Sequence, residues 1–234
     1  MTVASILQRL KRSLANSAGT IVFGMEDGTV SIFGLIFGVA ATTTSSHAVL
    51  IAGASGAAAA AVAMMAGAYL ETETSRDAIK ASRARLRADL KRNPASIGTF
   101  LQKRLAASRL NPKLSAALTG AVKDNPKAIK GLLFALQSTP EAQPNPREQA
   151  RWMLLADFLS AAVPILPFVF LPVPQARVVS ATVTTALLVV LGVGRARIAD
   201  RSVIRTVVET VSIGFAAALA GVAISVLFDR WFSG

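Results

Sequence analysis

Long apolar stretches separated by short basic or polar segments run through most of the chain. Crossing the hydrocarbon core takes ~20 mostly apolar residues. Five windows meet that need: residues 18–41, 48–70, 151–172, 176–194 and 203–228. Between the second and third lies a polar stretch, 78–150, long enough to form a small domain. The pattern predicts an all-α membrane protein of five transmembrane helices, with a small helical cytoplasmic bundle between the second and third. Its parts are then 1–77, with the N-terminal segment and first two spans, 78–150, the bundle, and 151–234, the last three spans.

The polar stretch has its own helical signals. Asn-Pro recurs at Asn93-Pro94, Asn111-Pro112, Asn125-Pro126 and Asn145-Pro146. Asn caps helix N-termini well, and Pro suits the first turn, where its missing N–H costs nothing. Ile97, Leu101 and Leu105, and then Ile129, Leu132, Leu133 and Leu136, follow two of these pairs at helical spacing. The segments beginning at Lys91 and Lys123, 32 residues apart, read as two similarly capped helices or as a weak duplication. The second span is expected to run on into the bundle through Arg87.

Composition supports the membrane assignment. Hydrophobic residues make up 53% of the chain, more than a soluble domain of 234 residues needs. The net charge of +12 would suggest nucleic acid as the partner of a soluble protein. Here the basic residues lie between apolar runs, where they fix orientation, and no nucleic-acid partner is expected. Residues 78–150 hold 14 Lys or Arg against four acids, Asp89, Asp124, Glu141 and Glu148. This stretch, the basic N-terminus and the loop carrying Arg195, Arg197, Arg201 and Arg205 should be cytoplasmic. The loops Thr42–His47 and Pro172–Gln175 carry no basic residue and should lie outside. The first apolar run is too long for a signal peptide and contains acids, so it reads as a span. With no targeting segment and an Ala- and Arg-rich composition, a bacterial inner membrane is the expected location. Cys is absent, which excludes disulfides and thiolate sites. No nucleophile–base arrangement, His cluster or phosphate loop is present, so neither an enzyme nor a resident cofactor is expected.

The candidate chemistry lies in the first two spans. Asp27, in Gly24-Met25-Glu26-Asp27-Gly28, is nine residues past Ala18 and so ~13 Å into its helix. Ionisable groups at that depth usually face a pathway or a partner. Gly28 allows a kink that would turn carbonyls toward an ion. Glu26 is either a second ligand or a solvated interfacial acid. Met64 and Glu71, seven residues apart, share a face of the second helix. A thioether and a carboxylate opposite a buried Asp suit Fe(II), Mn(II) or a similar transition metal better than Mg or Ca, although a membrane Met usually just packs. Asp157 and Glu209, one to two turns inside their spans, could relay protons or pair with Arg151 or Arg205. His47 reads as solvated, and the small-residue run Gly53–Ala61 as a close-packing surface.

These residues resemble a known family. The stretch Ile21 to Val39, containing Gly24-Met25-Glu26-Asp27-Gly28, is similar to the first helix of the vacuolar iron transporter family. The block from Met64 through Gly67-Ala68-Tyr69-Leu70 to Ser75-Arg76-Asp77 is similar to the family's second-helix block. Pro164-Ile165-Leu166-Pro167-Phe168 resembles its third-helix proline pair. Gly192 through Arg205, leading into Ile213-Gly214-Phe215-Ala216-Ala217, resembles its fourth loop and fifth helix. The resemblance implies a five-helix homodimer exporting Fe(II) or Mn(II) from the cytosol in exchange for protons. It also implies an ion path near the dimer interface, lined by Asp27 and Met64. Ala68 stands where the family often has Glu, and Glu71 is the nearest carboxylate on that face. The 78–150 stretch is basic where plant and fungal members are Glu-rich, so it is not expected to collect metal. The metal-site candidates are therefore Asp27, Met64, Glu71 and Glu26, and the partners a divalent cation, protons, the bilayer and a second copy of the chain. A relative that has lost transport and serves as a membrane scaffold or sensor is the alternative.

Overall fold

A computed structural model of the chain describes residues 3–92, 101, 105, 111–122 and 145–232. Among the described residues all regular structure is helical: α1 (Val3–Asn16), α2 (Ala18–Thr42), α3 (Ser46–Arg92), α4 (Pro112–Val122), α5 (Pro146–Ile165), α6 (Pro167–Phe170), α7 (Val173–Ile198) and α8 (Val203–Phe232). They fall into two compact units, Met1–Thr72 with Pro144–Gly234, and Glu73–Gln143. Four of these helices, α2, α3, α7 and α8, are long and apolar enough to cross a membrane. The remaining sequence window, 151–172, is divided here between α5 and the short α6. Pro164 and Pro167 fall at that break, and α5 carries the charged residues Arg147, Glu148, Arg151 and Asp157.

Local chemistry sets the helix ends. Asn145 Oδ1 accepts the Arg147 N–H at 3.1 Å, with Pro146 opening α5, and Asn111 Oδ1 accepts the Lys113 N–H at 2.9 Å, with Pro112 opening α4. Both Asn-Pro pairs act as the sequence predicts. Those at residues 93–94 and 125–126, and the apolar repeats at Ile97 and at 129–136, lie outside the described residues. α3 continues to Arg92, five residues past the expected Arg87. α7 ends where Asp200 takes φ 50°, with the Arg201 N–H returning to the Ala196 carbonyl at 2.9 Å. The N-terminal segment, expected only as a basic flank, is itself helical. Ile6, Leu7, Leu10 and Leu14 form an exposed apolar stripe on it, and Trp152 Nε1 donates to Ser13 Oγ at 2.8 Å.

The helix at the centre of the first unit is α2, which packs on α5, α7 and α8. Lipid tails are as apolar as Leu, so helices in a bilayer associate through close packing instead of water exclusion. Two pairs of glycines make that packing possible. Gly24 and Gly28 face α5: a Cβ on Gly24 would sit 2.9 Å from Met153 Sδ, and one on Gly28 would overlap the Asp157 carbonyl. Gly34 and Gly38 face α8, with such a Cβ 2.9 Å from the Ala217 carbonyl and 2.7 Å from the Gly221 carbonyl respectively. α2 runs unbroken through Gly28. The missing Cβ there lets α5 approach, and the Met25 carbonyl accepts the Thr29 hydroxyl at 2.7 Å. The apolar core lies toward the C-terminal half of α2, where Ile32, Ile36 and Ala40 meet Val49, Ala57, Ala161, Phe168 and Val173. Polar side chains gather in the N-terminal half.

Gly221→Val should lower the thermal unfolding midpoint of the detergent-solubilised protein, because a Cβ there overlaps the Gly34 carbonyl. Overpacking of this kind costs on the order of 1–3 kcal/mol. Gly194→Ala, at a helical position with open space around it, should leave the midpoint unchanged or raise it. Equal midpoints for Gly221→Val and the parent would rule out backbone-level contact between α2 and α8.

Candidate functional site

Neighbouring acids in the N-terminal half of α2 face different surroundings. Successive helical residues turn by about 100°, so Glu26 and Asp27 diverge. Glu26 turns toward α7 and α8, where Arg195 Nη1 lies 3.5 Å from Glu26 Oε2 and Thr210 Oγ1 donates to Glu26 Oε1 at 3.2 Å. The α7 turn at Asp200 holds the end of the helix that presents Arg195. Together these residues line a cavity of about 390 Å³ with Asp27, Val30, Ile198 and Ile213. Glu26 therefore has a counter-charge already and ties three helices together.

A second cavity, of about 400 Å³, opens on the other side of Gly19 and Phe23. Its walls are Thr20 and Phe23 of α2, Met64, Gly67, Ala68 and Glu71 of α3, and Gln149 and Met153 of α5. Gln149 is buried and hydrogen-bonded. It donates to the Asn16 carbonyl at 3.4 Å and to Ser17 Oγ at 3.2 Å, and it accepts the Thr20 hydroxyl. It clasps the α1–α2 junction to α5. The donors left to a soft cation are the thioethers of Met64 and Met153, with the exposed carboxylate of Glu71 beside them. Asp27 lies one turn beyond Phe23, and two beyond Thr20, on the α2 face that borders this cavity.

The structure thus brings Met64 and Glu71 together, as their spacing predicts, and places Glu26 in a different cavity, held by Arg195. Asp27 borders the Glu26 cavity and shares a helix face with the walls of the Met64 cavity. Ala68 is buried at 8% exposure, and its methyl forms part of the second cavity's wall. Asp157 is fully buried, and neither of its carboxylate oxygens has a hydrogen-bond partner among the described residues. The pairing considered for it with Arg151 or Arg205 does not form. Glu209 is exposed. Sequence reasoning passed over Met153 and Arg195. Met153 sits four residues before Asp157, a helical spacing that carries both to one face; Arg195 gave no signal, since 169 positions separate it from Glu26. Among the described residues no three His, Cys, Asp or Glu side chains converge. Any cation held here would rely on thioether, carboxylate and water ligands.

Three curated relatives are similar to this chain over most of its length. A vacuolar iron transporter of Centaurea cyanus is 26% identical over 204 residues, 86% of this chain and 83% of the relative. Vacuolar iron transporter 1 of Tulipa gesneriana is 27% identical over 209 residues, 88% of this chain and 84% of the relative. Vacuolar iron transporter 1 of Arabidopsis thaliana is 25% identical over 204 residues, with 86% and 81% covered. Residues 18–226 match the VIT family, a stretch that takes in α2, both cavities and most of α8. This multi-pass membrane chain belongs to the VIT family.

Proposed function

We propose that the chain is a secondary transporter that exports a divalent transition metal, Fe(II) or Mn(II), from the cytosol in exchange for protons. The observation that carries this is the cavity where Met64, Met153 and Glu71 converge, with Asp27 one turn deeper on the adjoining face of α2. Mixed soft and hard donors select Fe(II) or Mn(II) over Mg or Ca. A carboxylate at membrane depth can hold either a proton or a metal, which is what exchange of the two requires. The names of the relatives support iron as cargo. Glu26, neutralised by Arg195, holds α2, α7 and α8 in place and is not a first ligand. A homodimer is proposed on the resemblance alone.

The topology proposed is five spans, with α5 and α6 together forming the third despite the charges in α5. All of those charges but Asp157 cluster at its start, where Arg147, Glu148 and Arg151 would meet the cytoplasmic headgroups. Charge then places the N-terminus and residues 78–150 in the cytoplasm and the C-terminus outside. Arg177, one turn inside α7, is the basic residue near the outer end that this orientation leaves unexplained. A bacterial inner membrane follows from composition, whereas the relatives are plant proteins named for the vacuole.

A reporter fused after Gln137 should be cytoplasmic and one fused at Gly234 external; both on one side would rule out the fifth span. In proteoliposomes the parent should carry Fe(II) and Mn(II), faster with an opposing proton gradient. Asp27→Asn keeps the side chain's shape and removes its charge, so the protein should fold and lose about 10- to 100-fold in flux, the range typical when metal-site partners are removed. Met64→Leu should change the preference between the two metals more than the maximal rate. Parent-level flux in Asp27→Asn would refute the site assignment, and a parent that carries neither metal would favour the scaffold alternative.

A further inference from the structure

Asp157 is the one ionisable side chain among the fully buried polar residues described, at 0% exposure. Both of its carboxylate oxygens lack a hydrogen-bond partner, a condition shared among the buried side-chain atoms of the described residues only with Arg177 Nε and Thr184 Oγ1. The nearest hydroxyl on its own helix, Ser160 Oγ, donates to the Asp157 backbone carbonyl at 3.0 Å and so leaves the carboxylate unserved. Buried carboxylates are ordinarily paired or bound to a cation, because a bare charge out of water is costly. A fully buried carboxylate with no hydrogen-bond partner among the described residues needs a reason.

The packing at Gly28 provides one. There α5 lies against α2 so closely that a Cβ on Gly28 would overlap the Asp157 carbonyl. The residue preceding Gly28 is Asp27, so the backbones that carry the two acids meet at this contact. Neither acid takes part in a salt bridge among the described residues, where Arg195 pairs with Glu26. On α5, Gln149, Met153, Asp157 and Ser160 follow one another along a single face, and the first two line the Met64 cavity. Asp157 is therefore the next side chain on that wall, about 6 Å deeper than Met153. On α2, Thr20, Phe23 and Asp27 make the matching sequence.

We propose that Asp157 is a ligand for the transported cation, forming with Asp27 a two-carboxylate station between α2 and α5, one turn deeper than the Met64–Met153 cavity. This rests on the metal-transport reading above and adds to it a residue and an order of donors. The outer cavity offers two thioethers and an exposed carboxylate; the inner station offers oxygen only. Two carboxylates supply up to four oxygens, and water fills the remaining positions of a divalent cation. An incomplete protein shell fits a transport path, where an ion has to leave as readily as it enters.

Mn(II) is the probe, followed by electron paramagnetic resonance on the purified full-length protein in detergent and by uptake into proteoliposomes. Asp157→Asn replaces a carboxylate that has no hydrogen bonds to lose, so its thermal midpoint without metal should equal or exceed the parent's. Its Mn(II) affinity and uptake should each fall about tenfold or more, and the rise in midpoint that Mn(II) gives the parent should shrink. If Asp157→Asn does not fold, Asp157→Ser, smaller in the same space, carries the same measurements. Parent-like Mn(II) affinity in the variant overturns the proposal, even with uptake reduced, because Asp157 would then shape the path without touching the ion. If the parent itself neither binds nor carries Mn(II) or Fe(II), the transport reading fails and this inference with it; a parent that does both, beside an unchanged variant, removes only Asp157.

Discussion

Everything in the first unit depends on how closely α2 can approach its neighbours. In a bilayer that approach is not driven by the expulsion of water; it is held by dispersion contacts and polar pairs that need backbones within reach of each other. Four glycines on α2 provide the reach, two toward α5 and two toward α8. Larger residues at Gly24 and Gly28 would push α5 away, and with it Met153 and Asp157. Larger ones at Gly34 and Gly38 would move α8, which carries the Thr210 that holds Glu26. The same contacts that stabilise the bundle therefore place Met153, Asp157 and Thr210 around the N-terminal half of α2.

The electrostatics divide along α2 accordingly. Glu26 meets Arg195 and Thr210 and is settled within the fold. Its partly exposed ion pair adds little stability by itself, but it keeps an excess acid from competing for the cation and fixes the rotation of α2 about its axis. Asp27 borders the same cavity, but among the described residues it is Glu26 that Arg195 pairs with.

Much of this was legible from sequence. Apolar windows located α2, α3, α7 and α8, and the Asn-Pro pairs at 111–112 and 145–146 located two helix starts, because both signals are local. Spacing put Met64 and Glu71 on one face, and depth singled out Asp27. What stayed hidden was tertiary. The Glu26–Arg195 pair joins residues far apart in the chain, and nothing in Gly192-Val193-Gly194-Arg195 distinguishes that arginine from its neighbour Arg197. Met153 drew no attention, since membrane helices use Met freely. Gly28 suggested a kink, yet its missing Cβ accommodates another helix, a use visible only once α5 is in place. The helix at Val3–Asn16 was masked by its basic residues, which read as a topological flank although Ile6, Leu7, Leu10 and Leu14 repeat at helical spacing.

Ala68 shows how the two carboxylate positions bear on each other. A Glu at 68, frequent in the family this chain resembles, would project into the outer cavity beside Met64 and Met153. Here a buried methyl fills that place, and Glu71 reaches the cavity only from its exposed rim. The outer cavity is accordingly softer and less charged than a site with Glu at 68, so an arriving ion keeps more of its water there. A weak outer site is a handicap if it is the only one. Paired with the deeper station proposed for Asp27 and Asp157, it would be the shallow first step of a descending path, in which dehydration is completed where the negative charge is concentrated. On this view the loss at position 68 and the buried acid at position 157 are one adjustment, with negative charge moved inward along the face that Met153 and Asp157 share.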